Sequence, residues 1–174
     1  DLSTDLGNAT DFHNIVGSNS DDTLTGDSAN NVIIGSAGAD TLKGSDGDDA
    51  IYGDFLDNGT PYGHRSYNLT AGNDNLFGDA GDDTLVGNDG DDQLDGGKGA
   101  DTITTGSGTD TIVLRKGDGG SSLAHADTIT DFTDGTDVLG LDNGLLYSQL
   151  TMAQGTGSNS NNAIISVTSS SENL

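Results

Sequence analysis

From Gly17 to Val113, one aliphatic residue recurs every ninth position in an otherwise polar chain: Leu24, Ile33, Leu42, Ile51, then, past an interruption, Leu76, Leu85, Leu94, Ile103 and Ile112. Two positions before each stands an acid or its amide: Asp22, Asn31, Asp40, Asp49, Asp74, Asp83, Asp92, Asp101 and Asp110. Counted from the residue that opens each unit, the acid is position 6 and the aliphatic residue position 8. The units open at Gly17, Gly26, Gly35, Gly44, Gly53, Gly78, Gly87, Gly96 and Thr105, and position 4 is Gly in seven of nine. Composition alone does not produce agreement at four positions. A short fixed period marks stacked repeats.

Positions 7 to 9, such as "TLK" and "TIT", are rich in residues that suit strands and predict a three-residue extended piece. Within it position 8 faces one way and its neighbours the other. Positions 1 to 6 form a Gly-rich turn. One strand and one turn reverse the chain, so two units close a coil of 18 residues and coils stack at about 4.8 Å. The expected fold is all-β, a solenoid with two facing ladders of Leu and Ile.

That core is thin. Ordering nine residues costs on the order of 10 kcal/mol in backbone entropy, and burying one Leu returns roughly 2 to 3 kcal/mol. Stacking also repeats the position 6 carboxylates, and two such charges about 5 Å apart repel by roughly 0.8 kcal/mol even in water. A counter-ion is needed. Composition says which kind: the net charge is −24, and of 29 acidic residues all but Glu172 are Asp. Asp is short, suits turns and is a hard oxygen ligand. Oxygen-only sites, several from backbone carbonyls, favour Ca²⁺ over a transition metal.

Units such as "GSAGADTLK" and "GGKGADTIT" resemble the RTX (repeats-in-toxin) nonapeptide GGxGxDxUx, a motif whose calcium binding is general knowledge. The resemblance covers about Gly17 to Leu141. It implies a right-handed parallel β-roll with several Ca²⁺ ions, each held between the turns of units n and n+2 by position 6 side chains and by carbonyls of positions 1 to 4. Carried over, one edge pairs Asp22 with Asp40, Asp74 with Asp92, and Asp92 with Asp110. The other pairs Asn31 with Asp49, Asp49 with Asp83, and Asp83 with Asp101. The implied carbonyls are those of Ser18 and Ser20; Gly35, Ser36, Ala37 and Gly38; Gly44, Ser45, Asp46 and Gly47; Gly72; Gly78, Asp79, Ala80 and Gly81; Gly87, Asn88, Asp89 and Gly90; Gly96, Gly97, Lys98 and Gly99; Thr105, Gly106, Ser107 and Gly108. Asn31 replaces a charged ligand, and Ser20 and Ala29 replace position 4 glycines, so the first coil is expected to bind calcium weakly or not at all. Thr105 marks the end of regularity.

Residues 1–16 are expected to form a degenerate N-terminal coil or cap, and residues 17–113 the roll. The segment 55–70, "FLDNGTPYGHRSYNLT", interrupts the fifth unit as an excursion from a turn. Residues 114–141 form an irregular closing segment in which Asp127 and Asp137 keep the Asp-x-aliphatic spacing and are further candidate calcium ligands. In 142–174, "LLYSQLTMAQ" and "NAIISVTS" read as strands of a C-terminal β cap, and the polar end "SSSENL" suggests truncation.

Several functions are excluded or disfavoured. Five Lys plus Arg cannot bring this field against phosphates, so nucleic acid is no partner. No apolar run approaches a membrane span. No EF-hand loop, HExxH, GxSxG, Walker A or helix-linked GxGxxG occurs, and His13, His64 and His125 lie far apart, so the chain is not expected to be an enzyme itself. The resemblance implies a monomeric calcium-binding module of a secreted bacterial protein, exported by a type I secretion machinery and folding on Ca²⁺ outside the cell. Two alternatives stay open: part of an adhesin, or an accessory module binding extracellular polysaccharide through Tyr62, His64 and Arg65 with Tyr52 and Phe77. An ice-binding solenoid is disfavoured because position 7 (Thr23, Thr41, Asn75, Gln93, Thr111) gives no continuous Thr column.

Overall fold

The position 8 residues can be removed from water together only if every second unit lies directly beneath the last. A computed structural model describes residues 14–54, 72–118, 126–142, 144–154 and 163–167, and it stacks the units in this way. Strands β1 (Asn14–Val16), β3 (Val32–Ser36), β5 (Ala50–Asp54), β7 (Thr84–Asp89), β9 (Thr102–Ser107) and β11 (Thr128–Ile129) form one parallel sheet in that order. The second parallel sheet is β2 (Thr23–Thr25), β4 (Thr41–Asp46), β6 (Asn75–Ala80), β8 (Gln93–Lys98), β10 (Thr111–Arg115) and β12 (Val138–Asp142). The fold is a parallel β-roll.

Position 8 residues pair with position 8 residues throughout, as in Leu42↔Leu76↔Leu94↔Ile112 and Ile33↔Ile51↔Leu85↔Ile103. All nine are at most 4% exposed, and Ile15, Leu114, Ile129 and Leu139 pack against them. Stacked residues are 18 apart, rising to 34 across the interruption. The 16 extra residues are the length of segment 55–70, so the insertion leaves the register intact.

The structure corrects two expectations. Most strands have five or six residues, not three, because pairing continues into the turns, as in Ser45↔Asp79 and Asp46↔Ala80. This is possible because position 2 adopts positive φ (Ser36 96°, Ser45 87°, Asp79 72°, Asn88 82°) and bends the chain identically in stacked turns. In the segment expected as a degenerate coil or cap, β1 pairs with β3, and in the closing segment β11 and β12 continue the two sheets. Within the segment expected as strands, Tyr147–Gln149 is a 3₁₀ turn, while β13 (Leu150–Gln154) and β14 (Ala163–Val167) are strands paired antiparallel with each other. Most of residues 1–16 and all of 55–70 lie outside the described residues.

Candidate metal centre

The turns stack along two edges of the roll. One carries Asp22, Asp40, Asp74, Asp92, Asp110 and Asp137; the other carries Asn31, Asp49, Asp83, Asp101 and Asp127. A hydrogen-bond ladder ties each column. The Asp22 N–H donates to Asp40 Oδ1 (2.8 Å), Asp40 N–H to Asp74 (2.8 Å), Asp74 to Asp92 (2.8 Å), Asp92 to Asp110 (2.9 Å) and Asp110 to Asp137 (3.3 Å). On the other edge Asn31 N–H donates to Asp49 (2.8 Å), Asp49 to Asp83 (2.7 Å), Asp83 to Asp101 (2.9 Å) and Asp101 to Asp127 (3.1 Å). Every n/n+2 pair expected from the sequence is stacked, and so are Asp40 with Asp74, Asp101 with Asp127 and Asp110 with Asp137.

Each ladder uses Oδ1. The second oxygens of Asp40, Asp49, Asp74, Asp83, Asp92, Asp101 and Asp110 are buried with no hydrogen-bond partner. Those of Asp40, Asp49, Asp74, Asp83, Asp92 and Asp101 point where the position 1 glycine of their own unit lacks a side chain: a Cβ on Gly35 would overlap both Asp40 Oδ2 and the Gly53 carbonyl oxygen. The same convergence joins Asp49 with the Gly78 carbonyl, Asp74 with Gly87, Asp83 with Gly96, and Asp92 with Thr105. Buried acceptors thus face acceptors with no donor between them, which is costly unless a cation intervenes. The residues fit Ca²⁺, a hard cation that takes carboxylate and carbonyl oxygens together. Among the described residues no group of three or more Asp, Glu or His side chains could hold a metal alone, so carbonyls must supply most of any coordination shell.

The other turn carbonyls are also closely stacked. Those of Gly38, Gly47, Gly72, Gly81 and Gly90 abut the position 4 glycine one coil on, and those of Asp79 and Asn88 abut Gly97 and Gly106. The position 3 carbonyls of Ala80, Lys98 and Ser107 accept N–H groups of Gly47, Gly81 and Gly90 (2.8 to 2.9 Å).

Burial pushes the carboxyls of Asp40, Asp83 and Asp92 up to about 7, with stacked carboxylates adding to the rise. Asp127 is likewise raised to about 7, chiefly by burial, and burial also raises Asp49, Asp74, Asp101 and Asp110.

The end turns are built differently. Asp22 Oδ2 accepts from its own unit, from Ser18 N–H (2.5 Å) and Ser18 Oγ (2.9 Å). Asn31 Oδ1 accepts from Asp27 N–H (2.8 Å), and Asp137 Oδ2 from Thr133 N–H (2.7 Å). Ser20 and Ala29 stay out of the positive-φ region that Gly38, Gly47, Gly81 and Gly90 occupy at position 4.

The RTX calcium-binding nonapeptide repeat, as a family model, matches in four overlapping copies at residues 14–35, 25–58, 69–103 and 86–120, more than half of the chain. The chain belongs to this family. RTX repeats bind several Ca²⁺ ions per array and are typically non-catalytic. No curated protein matches this RTX chain. Among the described residues no helix is long and apolar enough to cross a membrane.

Sequence reasoning missed four features of the RTX roll. The Gly53 carbonyl faces Asp40 although its unit is interrupted. Position 5 forms a second ladder of opposite polarity, in which Asp21, Asn30, Asp48, Asn73, Asp82 and Asp91 accept N–H groups from the next coil (2.8 to 3.1 Å). Asp131 takes the N–H groups of Thr105 (2.8 Å) and Gly106 (2.9 Å). On the outer face, Arg115 bridges buried Asp95 to Asp142. Position 5 recurs as Asp or Asn in six units, a signal that could have been read; the other three carry none. His13, His64, His125, Tyr62 and Arg65 lie outside the described residues, while Tyr52 and Phe77 are half-buried.

Proposed function

We propose that this RTX chain is a calcium-gated folding module of a secreted protein, unfolded in the low calcium of a cytosol and folded by the calcium outside. The observation that carries this reading is the set of seven buried Oδ2 atoms without partners, five of which converge with a turn carbonyl oxygen. Each interior turn then holds an ion between coils, through the position 6 aspartates of units n and n+2 and the carbonyls of positions 1 to 4. Ligation of the native state alone stabilises it by about 2.7 kcal/mol per site at a hundredfold excess over Kd. Several such sites add cumulatively to the little that a core with one aliphatic residue per unit supplies. Export as a threadable chain through a type I machinery follows from the same calcium dependence, with residues 142–174 capping the open end of the roll. Far-UV circular dichroism tests the gating: little β signal in EGTA, a full β spectrum in millimolar Ca²⁺, and no response to Mg²⁺. A β spectrum that persists in EGTA at neutral pH overturns it.

A further inference from the structure

The interruption leaves the roll between positions 2 and 3 of an edge turn, and Asp54 is the last residue before it. Asp54 is 7% exposed, and its Oδ2 is buried without a hydrogen-bond partner. The other position 2 carboxylates are accommodated: Asp27 Oδ1 accepts from Ala29 N–H (2.9 Å), and Asp79, 44% exposed, lies 3.8 Å from Lys43 Nζ. Asp54 is held in place by its backbone, since β5 pairs Asp54 with Ser36 and the Asn88 Nδ2 donates to its carbonyl (3.0 Å). Its carboxylate lies within electrostatic reach of Asp74, and the backbone N–H groups of Gly72 and Asp89 approach it. Gly53, its neighbour, opens the cradle in which Asp74 Oδ2 meets the Gly87 carbonyl oxygen. A second buried carboxylate with one unpartnered oxygen therefore stands beside this interior cradle.

We propose that Asp54 is a calcium ligand outside the sixth position of the repeat, joining Asp74 and the adjacent turn carbonyls in a site richer in charge than its neighbours. This rests on the reading that calcium fills the interior turns. Its location has a physical reason. This turn must also close a 16-residue excursion, which costs loop-closure entropy that the uninterrupted turns do not bear. Calcium affinity rises with the number of charged ligands, so this site loads first and fixes the register across the interruption.

Isothermal titration of the whole chain with Ca²⁺, for the unaltered protein, Asp54→Asn and, as a control at an exposed acid outside the stacked turns, Asp134→Asn, tests the assignment. Asp54→Asn should weaken the tightest binding step by about tenfold or remove it, with Asp134→Asn unchanged. An Asp54→Asn isotherm that superimposes on that of the unaltered chain overturns the assignment and leaves the calcium reading standing. Absence of calcium uptake by the unaltered chain overturns both. If Asp54→Asn does not fold, the unaltered protein still decides: the Asp54 ¹³Cγ resonance should shift in the first binding step, and a resonance unmoved through saturation overturns the proposal.

Discussion

Replacing Asp83 by Asn should stabilise the fold without calcium and destabilise it with calcium. Asp83 is 2% exposed; its Oδ1 takes the Asp49 N–H at 2.7 Å, while its Oδ2 has no donor and faces the Gly96 carbonyl oxygen. Burial, then the neighbouring carboxylates of Asp101 and Asp49, carry its pKa from 3.8 to about 7. At about 1.36 kcal/mol per unit, the ionised group opposes the calcium-free fold by up to about 4 kcal/mol above neutral pH. Asn keeps the Oδ1 acceptor and can place an N–H donor against the Gly96 carbonyl, so the variant should recover about 1 to 3 kcal/mol of this. With calcium bound the same change removes a charged ligand and about 2 to 3 kcal/mol of ligation. The assay is folding by circular dichroism at about pH 8: trimethylamine oxide titration in EGTA, since excluded osmolytes favour burial, and urea melts in millimolar Ca²⁺. The variant should need less osmolyte in EGTA and less urea in calcium. A variant that needs more osmolyte in EGTA refutes the reasoning, because Asp83 would then stabilise the fold without a cation.

Acid should partly replace calcium. The folded-state pKa values of Asp40, Asp83 and Asp92 are about 7, above that of an unfolded Asp near ~3.9. Their contribution to the calcium-free fold is thus fully favourable below about pH 4 and lost as pH rises through about 7. In EGTA the β signal should be larger near pH 4.5 than at pH 8, while calcium affinity rises over the same window; β signal growing with pH in EGTA would contradict this. Gly81→Ala places a side chain at φ 146° and onto the Gly47 carbonyl, so it should cost more than about 2 kcal/mol in urea melts with calcium. Gly135→Ala, at φ 84° with open space around it, should cost only about 1 kcal/mol. Asp131→Ala frees the N–H groups of Thr105 and Gly106, and their hydrogen exchange should quicken by about tenfold or more while the Leu76 amide is unaffected.

The roll was legible because its strongest signal, one aliphatic residue at position 8, is also the centre of its core. Once Leu42 must cover Leu76 and Leu94, the two sheets, the 18-residue coil and the 34-residue step across the interruption follow. The stacking of Asp74 on Asp92 follows from the same register. What was not legible depends on backbone detail. That Asp74 N–H donates along the column to Asp92, while Asn73 accepts from Asp91 in the opposite sense, depends on how each peptide tilts. The extension of strands into the turns depends on positive φ at Ser45 and Asp79, residues that do not advertise it as Gly would. Asp131 lies outside the repeat register, and its role appears only where a sheet edge leaves Thr105 and Gly106 without a following turn.

A crystal structure grown in millimolar calcium, with anomalous difference maps at a wavelength where calcium scatters, is the most direct measurement. The account predicts one ion between successive coils along each edge, with Asp40, Asp74 and Asp92 beside ions on one side and Asp49, Asp83 and Asp101 on the other. The Ser18–Asp22 turn, which satisfies its own carboxylate, should be without one. Ladders of aspartates that keep the same hydrogen bonds and show no anomalous density between the coils would contradict it.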